Sequence, residues 1–171
     1  MNRWFATGFQ LILLRSAPQE LPGARSWTLI ALGIYLLVGL FLLELRGEGE
    51  ALFYILALDL AIVVGFVALL LGVNGYWARI PQTLQALWLS GAILGLVALP
   101  FAPVAAGAGE EPETIEALAI IAGLVVMFWS VPVMAHILRH ALEWPFHRAM
   151  ALAIIYFLLN VIIHIQVFAG D

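Results

Sequence analysis

An all-α membrane protein with five transmembrane helices is the fold that this sequence predicts. Hydrophobic residues make up 64% of its 171 residues, and charged residues make up only 11%. Soluble domains are typically about half apolar and about a quarter charged, so this chain carries more apolar surface than a soluble fold of its size buries. The apolar residues fall into five runs, each close to the roughly 20 residues that a helix needs to cross a bilayer.

Short charged or turn-forming segments separate the five runs. The acidic stretch RGEGE follows the first run, the Asn74-Gly75 turn follows the second, and Pro100 and Pro103 end the third. Together the runs form one predicted transmembrane domain at 27–171. Its spans are predicted at 27–45, 52–73, 84–104, 115–138 and 150–169.

The first 26 residues form a separate segment in this prediction. Arg3, Thr7 and Gln10 lie at helical spacing among apolar residues, as is typical of an amphipathic helix on a membrane surface. The apolar run is too short to span a bilayer, and no small-residue cleavage site follows Arg15, which argues against a signal peptide. We therefore expect an N-terminal interfacial amphipathic helix and a linker. The alternative is that this segment packs against the bundle.

The arginines predict the orientation of the chain. They cluster before the first span, between the second and third spans, and between the fourth and fifth, whereas the other loops are acidic. The positive-inside rule therefore places the N-terminus in the cytoplasm and the C-terminus outside. Six of the seven arginines agree with this orientation and should mark the cytoplasmic interface: Arg3, Arg15, Arg25, Arg79, Arg139 and Arg148.

Asp59 lies farther inside a predicted span than any other carboxylate. A charge at that depth costs roughly 2.5–3.5 kcal/mol on insertion scales, so it must face protein or water or be protonated. At about 1.5 Å per residue, Asp59 lies about 11 Å, Asn160 about 14 Å and His164 about 8 Å from the outer ends of their helices. These depths predict a polar cluster of the three side chains. It is either a hydrogen-bonded clasp or a proton or ion site.

Two further features bear on helix packing. Gly91 and Gly95 form a pair of small residues, four apart, that allows another helix to approach closely. Pro132 lies inside the fourth span, where it should kink the helix or leave a backbone carbonyl without its usual donor.

His136, His140 and Glu143 follow one another at helical spacing near the inner end of the fourth span. Two histidines four residues apart are a typical ligand pair for zinc or another metal that prefers imidazole. The competing interpretation is that these side chains contact lipid headgroups or a partner protein. A haem held by His136 and His164 is disfavoured, because the two residues lie towards opposite faces of the membrane.

Several functional classes are excluded or unsupported. The chain has no cysteine, which excludes disulfides, thiolate catalysis and iron–sulfur clusters. A net charge of -4 without a dense basic patch argues against nucleic acid as a partner. No nucleophile stands beside a base and an orienting group, and no glycine-rich phosphate loop is present. We expect a protein that is not an enzyme and needs no cofactor.

Two short phrases give the chain a resemblance to the Yip1 family of five-span membrane proteins, especially its bacterial members. The third span opens with QTLQAL at 82–87, and the region after the fourth carries LRHAL at 138–142, followed by Ala149 and Ala153. A proline-containing arm precedes the first span, and the resemblance covers most of the chain. The acidic arm motif of the eukaryotic members is absent, so their small-GTPase partners are not expected here. The resemblance implies a non-catalytic helix bundle that binds other membrane proteins.

These observations favour an accessory or scaffold protein of the bacterial inner membrane that contacts lipid and either other integral membrane proteins or further copies of itself. A small transporter or proton-conducting protein that uses Asp59 and His164 is the second hypothesis. A metal- or haem-binding subunit of a redox complex is the third.

Overall fold

The computed structural model describes residues 2–45, 51–107 and 112–168, and this part of the chain is helical apart from turns. The acidic stretches at 46–50 and 108–111 and the end of the last predicted span lie outside the described residues. The helices are α1 (Asn2–Ile12), α2 (Arg25–Leu45), α3 (Leu52–Val73), α4 (Ile80–Ala98), α5 (Ala102–Ala105), α6 (Glu113–Leu142) and α7 (Phe146–Phe168). Single 3-10 turns lie at Pro18–Glu20, Trp77–Arg79 and Leu99–Phe101.

Five helical runs in the described residues are long and apolar enough to cross a membrane. This number and the all-α class confirm the coarse prediction. Helix α3 has the predicted bounds of the second span, 52–73, whereas the other four runs begin before the predicted first residue. Helix α4 begins at Ile80, because Pro81 fits the first turn of a helix, where no backbone donor is needed. The expectation that LRHAL (138–142) belongs to a loop is wrong, since α6 continues to Leu142.

Helix α4 is the centre of the bundle. It contacts α1, α2, α3 and α6. Ten of its 19 residues are buried, compared with three of 21 in α2. The surrounding helices turn large apolar side chains outward, including Phe41, Phe53, Leu69 and Val125, each at least 62% exposed. An exposed apolar surface of this extent suits lipid rather than water.

Gly91 and Gly95 lie where α4 passes α2. A Cβ atom added at Gly91 would come within 2.8 Å of Tyr35 Cε2, and one added at Gly95 within 2.7 Å of Val38 Cγ1. Both distances are shorter than carbon atoms tolerate without moving. The two glycines therefore allow α2 to lie close against α4, the packing expected of small residues four apart.

Four arginines mark one end of the bundle. Arg25 begins α2, Arg79 precedes α4, and Arg139 and Arg148 flank the short connection from α6 to α7. The start of α4 and the end of α6 meet there, since Arg79 Nη1 donates a hydrogen bond to Ala141 O at 2.9 Å. We call this the arginine end. Its location in the cytoplasm stays a prediction.

The N-terminal segment enters the bundle beside α4. Trp4 contacts Gln85 near the arginine end, and Gly8 contacts Leu89 and Ile93 farther along α4. Helix α1 therefore points from the arginine end towards the middle of the bundle. Its close approach depends on Gly8, because a side chain there would overlap the two apolar residues of α4.

The chain then turns at Leu14, whose φ is +60°, and returns along α6. Three hydrogen bonds follow the return path, each nearer the C-terminal end of α6 than the one before. They run from Trp129 Nε1 to Ile12 O (2.9 Å), from His136 Nε2 to Ser16 O (2.7 Å) and, in the opposite sense, from Gln19 Nε2 to His140 O (2.8 Å). The segment is thus a hairpin of α1 and a returning stretch that contains the Pro18–Glu20 turn, and it packs against both α4 and α6.

This hairpin bears on the expectation of a helix lying on a membrane surface. Within the molecule, α1 lies alongside α4, which is the packing alternative. Its exposed residues are both apolar and polar: Phe5 and Phe9, each at least 41% exposed, and Arg3 and Gln10. Where α1 lies relative to a bilayer stays a prediction.

We expect Gly8→Leu to destabilise the protein by about 1–3 kcal/mol, the usual effect of forcing extra methylenes into a packed contact. A Cβ atom alone would lie 2.8 Å from Leu89 Cδ2. The measurement is thermal unfolding of the purified protein in detergent. Gly33→Leu is the matched control, because a Cβ atom at Gly33 meets nothing within 4 Å. Equal destabilisation by both variants would contradict the close docking of α1.

Candidate functional site

Asp59 lies where α3 faces α2. Tyr35, the middle residue of α2, donates a hydrogen bond from its hydroxyl to Asp59 Oδ2. The ring of Tyr35 fits against α4 because Gly91 has no side chain. The glycine that allows close helix packing therefore also makes room for the hydrogen-bond partner of the acid.

A cleft of about 270 Å³ borders Asp59. Helices α2, α3, α4, α6 and α7 all contribute to its walls, which are mostly apolar. None of the described residues that line it is arginine, lysine or histidine. Its polar lining consists of Tyr35, Asp59, Ser90, Ser130, Tyr156 and Asn160, together with the indole of Trp88.

The structure brings two of the three residues of the predicted polar cluster to one cleft. Asp59 and Asn160 line the same cleft. His164 is not among its lining residues and lies one helical turn farther along α7, where its Nδ1 donates to Asn160 O at 2.8 Å. The cleft therefore holds an acid and an amide, and the histidine adjoins them along α7.

Sequence reasoning missed two tyrosines of this cleft. Tyr35 supplies the hydrogen bond to Asp59. Tyr156 lies one turn before Asn160 and packs on Phe66, with the ring centroids 4.9 Å apart. A signal was available, because a tyrosine hydroxyl inside an apolar helix needs a polar partner. Counting depth from the helix ends, as for Asp59, would have placed Tyr35 at the middle of α2.

Two polar groups in the wall have no hydrogen-bond partner among the described residues. They are the buried Trp88 Nε1 and Ser90 Oγ. Ser130, in contrast, donates from its hydroxyl to Met127 O at 2.6 Å. An unpaired buried polar group typically lowers folding stability by about 1–3 kcal/mol, so such groups are uncommon in protein interiors. Both atoms are enclosed within the wall of the cleft.

The cleft lies between a tightly packed half of the bundle and an open half. Buried residues of α6 are concentrated at 133–142, and those of α7 are Ala149 and Ala153, all towards the arginine end. From 113 to 132, α6 buries only Ala119, and α7 buries none of its residues from 154 to 166. The outer faces of these two helices therefore remain uncovered beyond the cleft.

A second cleft, of about 300 Å³, adjoins the first. Helices α2, α3, α4 and α6 line it, and both clefts share Tyr35, Gly91, Leu94 and Ser130. Its other lining residues are apolar or glycine. Tyr35 thus stands between two clefts, and Asp59 lies on only one of them.

The structure gives the histidines other partners than a metal. His136 Nε2 donates to Ser16 O, and Glu143 pairs with Arg79. The His136 and His140 rings do meet, with centroids 4.8 Å apart. Helix α6 ends at Leu142. Glu143 follows it with a left-handed backbone conformation, so it does not continue the helix that carries His136 and His140. In the described parts of the chain, no three histidine or acidic side chains form a group that could hold a metal ion.

Arg79 makes three contacts at the arginine end. It donates to Ala141 O, pairs with Glu143, and lies over the ring of Tyr76 at 4.5 Å. Arg139 donates from Nε to His140 Nε2 at 3.2 Å. The other four predicted interface arginines are exposed: Arg3, Arg15, Arg25 and Arg148.

We expect Arg79→Ala to destabilise the protein by about 1–3 kcal/mol, because the carbonyl of the buried Ala141 loses a charged donor. Glu143→Gln should change stability by less than about 1 kcal/mol, since its side chain is 62% exposed and surface ion pairs contribute little. Thermal unfolding in detergent compares the two variants. A larger effect of Glu143→Gln would contradict this account of the arginine.

No protein-family model, curated protein or solved structure matches the chain. The resemblance to the Yip1 family therefore stays a prediction.

Proposed function

We propose that the protein is a non-catalytic membrane accessory protein that binds a transmembrane segment of another membrane protein. The observation that carries this proposal is the Asp59 cleft at the boundary of the packed and open halves. An intramembrane carboxylate is expensive, and such groups are retained mainly where they serve a partner or a pathway. The uncovered faces of α6 and α7 beside this carboxylate offer a partner helix a place to pack.

The membrane part of the proposal is supported by the five long apolar helices and their outward-facing apolar side chains. The exposed Arg25 and Arg148 at the arginine end support its placement at the cytoplasmic surface of a bacterial inner membrane. In this arrangement the open half of the bundle lies in the outer leaflet. A partner would then reach Asp59 from within the membrane plane.

The cleft is better suited to binding than to catalysis. Ser130 donates a hydrogen bond to a backbone carbonyl, and the described residues that line the cleft include no histidine to activate it or Ser90. The acid itself is held by the hydroxyl of Tyr35. A nucleophile with a base and an orienting group is the minimum for covalent catalysis, and the cleft lining does not provide it.

Proton or ion conduction is the second candidate. The observation that favours it is the succession of Tyr35, Asp59, Asn160 and His164, which leads from the middle of the bundle towards its open end. Proton flux into proteoliposomes tests it. Flux that is lost in Asp59→Asn would favour conduction over accessory binding.

The experiment that tests the accessory function is native mass spectrometry of the protein extracted in native nanodiscs, with identification of each subunit. We expect a foreign membrane protein at a fixed stoichiometry. A lone monomer or a homo-oligomer would contradict the proposed function and favour conduction.

A further inference from the structure

We infer that the segment bound at the cleft is a transmembrane helix with a basic side chain, whose cationic group pairs with Asp59. This inference rests on the proposed function and specifies the chemistry of the partner. Three observations lead to it: the charge of the cleft, the hydrogen-bonding groups of its lining, and the length of the uncovered helix faces.

The first observation is charge. Asp59 is the only acidic residue among the described residues that line the cleft, and no basic residue lines it. Ionisable groups inside a membrane usually pair with a group of opposite charge or with backbone carbonyls. Tyr35 binds the acid through a neutral hydroxyl. A cation from a partner completes the pair.

The second observation is the hydrogen-bonding character of the wall. Ser90 lines the cleft, and a hydroxyl can accept a hydrogen bond. Asn160 and Tyr156 add oxygen acceptors to the same lining. A guanidinium or ammonium group carries several donors and no acceptor, so it matches a carboxylate that shares its lining with hydroxyl and amide oxygens.

The third observation decides between a helix and a small cationic amphiphile. The uncovered stretch of α7 from 154 to 166 is about 20 Å long at about 1.5 Å per residue. That length accommodates several turns of a helix, with the cleft receiving one side chain at its base. Asp59 lies about 11 Å from the start of α3, so the basic residue should lie at a similar depth in the partner's span.

The test uses two synthetic helices of about 20 residues, the length of a bilayer span, built from leucine and alanine with tryptophan at both ends. One carries a central arginine and the other a central leucine. Because the chain has no cysteine, Tyr54→Cys provides a single site for a fluorescent label, and Tyr54 is 74% exposed. Energy transfer to a labelled peptide in nanodiscs reports binding.

We expect the arginine peptide to bind the protein about tenfold more tightly than the leucine peptide, which corresponds to about 1.4 kcal/mol. In Asp59→Asn this preference should fall below about twofold, close to no discrimination. Tyr35→Phe should keep most of the preference, because the carboxylate remains. Glu44→Gln is the matched control, since it removes an exposed carboxylate at the end of α2 and should change nothing.

Equal binding of the two peptides to the unmodified protein would overturn the inference, and so would a preference that survives in Asp59→Asn. Binding of a long-chain primary amine without any peptide preference would identify a small amphiphile and also overturn it. These failures differ from failure of the proposed function. A stoichiometric partner whose membrane segment has no basic residue would leave the accessory function standing and remove this inference.

Discussion

Asp59→Asn and Asp59→Leu are both expected to reduce the amount of partner that co-purifies with the protein by about tenfold or more. Removing one member of a buried charge pair leaves the other charge unpaired, which typically costs about 2–5 kcal/mol of binding free energy. The two variants differ in a second respect. Asparagine retains an oxygen that accepts from the Tyr35 hydroxyl, whereas leucine leaves that hydroxyl without its acceptor.

This difference separates a binding site from a structural clasp. If Asp59 binds a cation, both variants lose the partner, and the asparagine variant keeps its thermal stability. If Asp59 only fastens α3 to α2, asparagine behaves like the unmodified protein and only leucine is defective. Quantitative mass spectrometry of the purified complex and thermal unfolding in detergent give the two readouts. Partner levels that are normal in Asp59→Asn would contradict the binding role.

Gln85→Leu is expected to have the largest effect on stability, about 2–5 kcal/mol, because two buried polar groups lose their partners at about 1–3 kcal/mol each. Gln85 is fully buried. In the amide orientation that satisfies both neighbours, its Nε2 donates to Pro22 O at 3.0 Å and its Oε1 accepts from Trp4 Nε1 at 2.8 Å. This one side chain therefore ties both ends of the N-terminal hairpin to α4.

Gln82→Leu is the matched control for this prediction. Gln82 is on the same helix but half-buried, and it makes one longer hydrogen bond, from Nε2 to Leu21 O at 3.2 Å. Its loss should cost about 0.5–1.5 kcal/mol, the usual net value of a hydrogen bond. Thermal unfolding measures both variants. Similar small effects at the two positions would show that Gln85 does not hold the hairpin.

The five long helices were predictable because the length and hydropathy of a membrane span are properties of a local stretch of sequence. Their ends were less predictable. LRHAL (138–142) carries charge, as loops do, yet Ala141 is 1% exposed and Leu142 is 1% exposed in α6. Packing of α6 against α1 and α7 keeps this last part helical, and such contacts are not visible in a local pattern.

The N-terminal hairpin illustrates a second limit. The apolar side of an amphipathic helix can face either lipid or protein. The periodicity of its apolar residues therefore does not distinguish a helix on a membrane surface from one that packs against the bundle. The distinguishing residues are Gly8, which permits contact with α4, and Gln85, a fully buried amide in an apolar span. A buried amide requires partners, and here the partners belong to the hairpin.

The candidate site was partly predictable for a related reason. Counting residues from the helix ends gives the depth of each residue in the membrane. The similar depths of Asp59 and Asn160 predicted that the two residues lie together. Rotation about the helix axis and the order of helices around the bundle are not encoded in depth. Both determine that Tyr35 binds Asp59 and that His164 lies beside the cleft lining.

The most direct test of the central claim is photocrosslinking in living cells from a benzophenone amino acid placed at Phe157, which lines the Asp59 cleft. The same substitution at Phe53, which is 75% exposed on α3, is the control. We expect the Phe157 position to crosslink one membrane protein, through a transmembrane segment that contains a basic residue, and to do so far more than the Phe53 position. Crosslinks only to lipid or to other copies of the chain, or equal yields at both positions, would contradict the claim that this cleft binds a partner helix.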